Sequence, residues 1–405
     1  MGLPLLRLSL RGLFGLNRHM LLTVLGIAVW RAWRWLPRQI RRLQDGMPMP
    51  VTLQVVDDIR CGARCTHCLF TAFEVRGKGL SLDELSDLLD QAAAMDVGHV
   101  YLMGADPFYR KDPDAYIAMI ARHRRQIFYL FSEGQRIEDH HLDAIQRAGN
   151  IVPMLNIDGL EDATNARKGP GSWDTVSALL DRLHARGIPW FVTTMVSTAN
   201  YEHVTSDAYL DYLDARGAWV VAYLPYTPVD AHAESSLVMS DTQRAELFQR
   251  SMALNGWRRK LVVMDMLGIE QELTSCPAGT QTMTVYHDGT VAPCAAIPMG
   301  HKGSNLRAKP LRELWLTDPL YNALREYGKQ LRRDNHTLTA LNRGGAVGSN
   351  DAARGRRSSV SCLYFSDTQF LSSYLHEHGD EMVIINPDAA RWVHDKASKA
   401  EGHSP

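Results

Sequence analysis

From residue 50 onward, short apolar runs alternate with longer segments whose apolar residues recur every three or four positions. Runs at Val51–Val56, His99–Met103, Gln126–Phe131, Ile151–Ile157, Trp190–Met195 and Trp219–Leu224 predict strands. The helical period predicts helices over Leu82–Met95, Pro113–Arg122, Ile137–Ala148, Trp173–Arg186, Ser206–Ala215 and Ser240–Leu254, the fourth closed by Gly187. Strictly alternating strands and helices form a parallel sheet with right-handed crossovers. Six such units, not the eight of a closed ring, predict an α/β fold: an open, partial (β/α)6 TIM-type barrel.

The pattern changes at both ends. Near residue 260 the alternation stops, and residues 282–293 read as a hairpin turning at Asp288-Gly289. A helix over Pro310–Tyr327 follows, then a stretch at 332–361 rich in Arg, Asn, Gly and Ser that reads as a flexible insert. Residues 1–44 hold eight arginines and no acid, and their longest apolar run, Met20–Trp30, is too short to span a bilayer. With Trp30, Trp33 and Trp35, this segment is expected to form an amphipathic helix lying on a membrane surface. The domain expectation is a basic amphipathic region at 1–46 and a partial barrel at 47–260. A small α+β extension follows at 261–395, and a frayed tail at 396–405.

Composition narrows the class. A formal net charge of −1 over 405 residues gives no global basic field, so nucleic acid is not an expected partner. Six cysteines are too sparse for a secreted disulfide scaffold. They fall into two sets, 61/65/68 and 276/294/362, which suits ligation better than bridging. Cys61, Cys65 and Cys68 follow the first strand in a C-x3-C-x2-C triad. Three thiolates can hold three irons of a [4Fe–4S] cluster and leave the fourth open to a chelating molecule. A zinc knuckle is the competing reading, although the paired C-x2-C spacing of structural zinc is missing from the sequence.

The triad, placed after strand 1, resembles that of the radical S-adenosylmethionine (SAM) enzymes. That resemblance implies SAM chelated at the open iron, with the strand ends holding the rest of the molecule. Strand 2 ends in Gly104-Ala105-Asp106-Pro107 where the family carries Gly-Gly-Glu-Pro, which implies that Gly104 and Asp106 meet the methionine amino group. Strand 4 ends in Asn156-Ile-Asp158-Gly159, similar to the family's Ser-Ile-Asp-Gly, which points Asn156 and Asp158 at the ribose or substrate. His67 occupies the place of an aromatic residue that packs on the adenine. Ser132-Glu133-Gly134 stands where relatives carry Thr-Asn-Gly. Arg167 is a candidate for the SAM carboxylate or a substrate anion. Thr194, Asn200 and Tyr223–Tyr226 are candidates by position alone.

Cys276-Pro-Ala-Gly279 and Gly289-x4-Cys294 resemble the start of a SPASM or Twitch extension, which binds auxiliary clusters. The remaining ligands, Cys276, Cys294 and Cys362, allow one auxiliary cluster, with His336, water or substrate as its fourth ligand. The implied activity is reductive cleavage of SAM to a 5′-deoxyadenosyl radical that abstracts hydrogen from a substrate. The implied partner is a one-electron reductant of flavodoxin or ferredoxin type. The substrate class stays open among small molecules, lipids and peptides. The arginine- and tryptophan-rich leader favours a membrane-associated substrate and a cytoplasmic enzyme on the inner face of the cell membrane. A peptide- or protein-modifying maturase is the alternative. A non-catalytic iron–sulfur carrier or scaffold is the alternative of another class.

Overall fold

The computed structural model describes residues 49–401 apart from 60, 62–64, 75–76, 230–232, 256–257, 267–275, 298 and 343–367, together with residues 22, 25 and 29. Cys362 and most of the basic N-terminal segment lie outside the described residues. No helix among the described residues is long and apolar enough to cross a membrane.

All six expected strands form: β1 (Thr52–Asp58), β2 (His99–Gly104), β3 (Ile127–Ser132), β4 (Ile151–Asn156), β5 (Trp190–Val196) and β6 (Ala218–Pro225). They pair in parallel in sequence order. The sheet has nine strands, because residues beyond the six units join it. β7 (Val262–Asp265) extends it beside β6, and β8 (Thr282–Tyr286) adds to the other side parallel to β1. The expected hairpin is present, with β9 (Val291–Ala292) antiparallel to β8. Gly289 sits in the turn at φ +85°, where an added Cβ would lie 2.6 Å from Asn305 Oδ1. The edge strands β7 and β9 do not pair with each other, so the barrel stays open.

Besides the single turn Tyr201–Val204, the helices are α1 (Leu82–Ala94), α2 (Pro113–Ala121), α3 (Asp139–Ala148), α4 (Glu161–Lys168), α5 (Ser172–Ala185), α6 (Asp207–Ala215) and α7 (Asp241–Leu254). Their starts follow local chemistry: Ser81 with Glu84 and Ser240 with Gln243 form capping boxes. Two-residue alternation sends Leu53 and Val55 of β1 into the core shared with the helices. Each fully buried leucine there contributes about 1.5–3 kcal/mol. The opposite face of the sheet carries a second, aromatic cluster. There Tyr129, Val152 and Met154 pack with Tyr101, Phe131 and Phe191, and Tyr101 stacks on Tyr129 at 4.4 Å.

The extension differs from the expected single helix. Asp318 accepts from Tyr321 N–H at 2.9 Å and Pro319 follows it, so the segment splits into α8 (Leu311–Thr317) and α9 (Pro319–Asn342). α9 runs to Asn342, into the stretch read as a flexible insert. α10 (Thr368–His378) and α11 (Pro387–Glu401) complete the chain, and α11 continues through residues expected to fray. β10 (Met299–His301) and β11 (Met382–Ile384) form a separate antiparallel pair.

Candidate cluster and cofactor site

The cysteine loop leaves β1 at the C-terminal end of the sheet, where the ends of β2, β3 and β4 converge. Cys61 is exposed, and Cys65 and Cys68 are partly buried. Three soft thiol donors in one loop suit iron, and the surroundings suit cluster thiolates. The Asp106 N–H donates to Cys61 Sγ at 3.4 Å, a bond of the kind that stabilises charge on cluster sulfurs. Burial pushes the Cys65 thiol up, and Glu133 beside it adds to this; Lys168 and Arg167 oppose both. Burial likewise raises Cys68, opposed by the Phe70 N–H and Arg167. Binding iron must overcome this desolvation, which favours a coordinated sulfur over a free thiolate.

Gly104 has a steric reason to be glycine. It stands at φ +108°, and a Cβ there would lie 2.3 Å from the Asp58 carbonyl oxygen and 2.9 Å from Val56 Cγ1. The same carbonyl receives the Ala105 N–H at 2.7 Å, so the ends of β1 and β2 are drawn tightly together. Asp106 is buried and its carboxylate points into the protein. It accepts from Phe108 N–H at 2.9 Å, Ser132 Oγ at 2.9 Å and Glu133 N–H at 2.8 Å. Burial raises its pKa, and these three donors pull the other way.

Asn156 and Asp158 are brought together as their shared strand face implies. Both accept from one terminal nitrogen of Arg167, and Asp158 is buried beneath it while also accepting from Met195 N–H at 2.7 Å. Arg167 itself is committed to this cluster: its Nε donates to the Thr66 carbonyl at 3.0 Å. It therefore joins the strand 4 end to the cysteine loop. Arg167 and Lys168 stand in the last turn of α4, a short, highly polar helix that carries little apolar period and so leaves no helical signal in the sequence. Lys168, missed as a site residue, is buried within 3.3 Å of Glu133 Oε2 and donates to the Asn156 carbonyl.

His67 adopts φ +59°, unusual for a residue with a side chain. Its ring meets Tyr226 edge-on at 5.2 Å, and Tyr226 Oη lies 3.4 Å from its Nδ1. Among the positional candidates, Thr194 and Tyr223 turn to the helical layer, bonded to Ile157 O and Val204 O at 2.8 and 2.7 Å. Asn200 braces the loop after β4, donating to the Asp158 carbonyl at 3.0 Å and to Met195 O at 2.8 Å.

In the extension, Cys276 and Cys294 border one apolar cluster with Leu69 of the first cysteine loop. The Gly279 N–H points at Pro293 O at 3.4 Å, which sets the Cys276 turn beside Cys294. Arg325 holds that turn by donating to Gly279 O at 2.8 Å. Gln54 of β1 reaches the same place, where its Oε1 accepts from Ala295 N–H and Thr284 Oγ1, both at 2.8 Å. His336 lies within α9.

Comparison with known proteins agrees with this geometry. Residues 59–208 match the radical SAM superfamily model, and residues 276–339 match the model of an iron–sulfur cluster-binding domain, SPASM. The AdoMet-dependent heme synthase of Methanosarcina barkeri is 24% identical over 66% of this chain and 82% of its own length. The PqqA peptide cyclase of Gluconobacter oxydans is 24% identical over 68% of this chain and 79% of its own. The crystal structure of Streptococcus suis SuiB bound to precursor peptide SuiA superposes with a TM-score of 0.58 at 16% identity, covering 71% of this chain and 70% of that one. Its fold is thus shared. The cofactors that follow are a [4Fe–4S] cluster with SAM, and auxiliary iron–sulfur in the extension. The chain belongs to the radical SAM superfamily and is an enzyme of that family with a SPASM extension.

Proposed function

We propose that this enzyme is a peptide- or protein-modifying maturase, with Cys61, Cys65 and Cys68 holding the SAM-binding cluster. The observation that carries this is the junction between extension and barrel. β8 continues the sheet in parallel beside β1, and Gln54 of β1 holds the Ala295 N–H next to Cys294. The auxiliary cysteines are thereby built onto the strand that feeds the first cysteine loop. A peptide cyclase among the relatives supports the substrate class.

Bound together, the cluster and SAM supply one-electron cleavage of SAM and abstraction of hydrogen from an unactivated carbon. The chain's own residues orient and enclose. Arg167 ties the cysteine loop to Asn156 and Asp158, and the Asp106 N–H donates to Cys61. The aromatic interior beneath, with Tyr101, Phe131 and Phe191, excludes water from the reacting atoms. A one-electron reductant of flavodoxin or ferredoxin type is the partner this chemistry requires.

The test uses anaerobic holoenzyme, SAM, dithionite and synthetic peptides encoded by short reading frames beside its gene. A SAM-dependent mass change in one peptide is expected. Modification of a porphyrinoid with every peptide unchanged would sink the proposal and favour chemistry like that named for the heme synthase.

A second element of the proposal is attachment of residues 1–44 to the inner face of the cell membrane. Leu22, Leu25 and Val29 are helical and 67%, 44% and 69% exposed, at the i, i+3, i+7 spacing of one apolar face. Full-length enzyme should float with anionic vesicles and enzyme lacking residues 1–44 should not. Equal flotation of the two would reject attachment through this segment.

A further inference from the structure

We propose that Glu133, and not Asp106 of the Gly-Ala-Asp-Pro stretch, is the carboxylate that receives the amino N–H of SAM's methionine moiety.

Two neighbouring carboxylates have opposite hydrogen-bonding states. A carboxylate offers about four acceptor positions. Asp106 has three of them filled by Phe108 N–H, Ser132 Oγ and Glu133 N–H, and it is 4% exposed. Turning it outward would abandon all three donors and untie the end of β2 from the end of β3. Glu133 is the reverse case. Its side chain is 13% exposed, and its Oε2 is buried with no hydrogen bond, facing Lys168 Nζ at 3.3 Å. Its Oε1 accepts only from the Cys65 thiol among its hydrogen bonds described. Iron takes the place of that thiol proton, so Oε1 is then open as well. With Oε2 set against the Lys168 ammonium, Oε1 is the acceptor left beside the cluster, and a ligand N–H is the group that satisfies it.

Position makes the amino group that donor. Glu133 touches Cys65, one of the three residues proposed to hold the cluster, and its backbone is fixed by the Asp106 carboxylate. Asp106 is then a positioning residue: the one-methylene-shorter acid in the motif stays inside and orients the longer one that follows β3. Lys168 pairs with Glu133 and ties it to the end of β4 through the Asn156 carbonyl.

The test compares two ligands on anaerobically reconstituted full-length enzyme. SAM carries the amino group; 5′-methylthioadenosine keeps the adenosine and sulfur but has no amino-acid portion. In Glu133→Gln, the dissociation constant for SAM should rise at least tenfold while that for methylthioadenosine stays within twofold of wild type. Iron and sulfide content should match wild type. Equal weakening of both ligands, no weakening of either, or loss of the cluster in Glu133→Gln would each overturn the assignment, the last by making Glu133 a support of the Cys65 loop.

Discussion

Arg167 and Thr66, 101 residues apart, exchange two hydrogen bonds: Arg167 Nε donates to the Thr66 carbonyl at 3.0 Å, and the Thr66 N–H donates to the Arg167 carbonyl at 3.1 Å. Thr66 stands between Cys65 and His67, so the cysteine loop is clasped to the end of α4. The same guanidinium pairs with buried Asp158.

Removing that clasp should uncouple the loop and leave a buried carboxylate alone. Breaking a buried pair from one side costs about 3–5 kcal/mol. Arg167→Ala is expected to lower the melting temperature and the iron retained after reconstitution. Arg167→Lys keeps the charge but not the fork that serves Thr66, Asn156 and Asp158 together, so it should recover stability only in part. Iron content equal to wild type in Arg167→Ala would contradict the clasp.

Gly104→Ala should be costly although the added group is one methyl. The φ of +108° and the 2.3 Å approach to the Asp58 carbonyl leave no place for it. A loss of about 3 kcal/mol or more is expected in chemical denaturation, because strain and backbone displacement add.

The expected strands and their order were legible because two-residue alternation and Gly/Asp turn chemistry act locally. The shared face of Asn156 and Asp158 is legible for the same reason, and the three cysteines are legible from their spacing as a candidate site. What the sequence hid was the direction of polar side chains. Asp106 turns inward and Glu133 faces Cys65 and Lys168 only because β2 and β3 end side by side, a tertiary fact with no periodic trace. α4 is hidden by its polarity, whereas the break at Asp318-Pro319 carries a local signal, a capping acid before proline. The joining of β7 and β8 to the barrel sheet depends on long-range pairing that no local pattern encodes.

Asp57, at the end of β1, gives the fold a pH dependence. Burial pushes its carboxyl from 3.8 up to about 6, although Arg110 lies 3.0 Å away. The folded state therefore holds this proton more tightly than the unfolded chain. The contribution is fully present below about pH 3.8 and is lost as pH rises through about 6. Between pH 5 and 7.5 the stability of Asp57→Asn should gain on wild type by roughly 1–1.5 kcal/mol. Denaturation curves with a pH-independent gap would contradict this origin.

Gln54 joins the barrel to the extension through one oxygen that receives both Ala295 N–H and Thr284 Oγ1. Gln54→Leu leaves those donors unmet, at about 1–3 kcal/mol. The auxiliary iron beside Cys294 should fall while iron at the first cysteine loop is kept. Parallel loss from both sites would mean that β1 itself had been disturbed.

The most direct test of the account is formation of 5′-deoxyadenosine from SAM and dithionite under anaerobic conditions, comparing wild type with the Cys61→Ala, Cys65→Ala, Cys68→Ala triple variant. Production by wild type and none above background by the variant is the expected result. Equal production by the two, or none by an iron-replete wild type, would contradict a SAM-cleaving cluster on this loop.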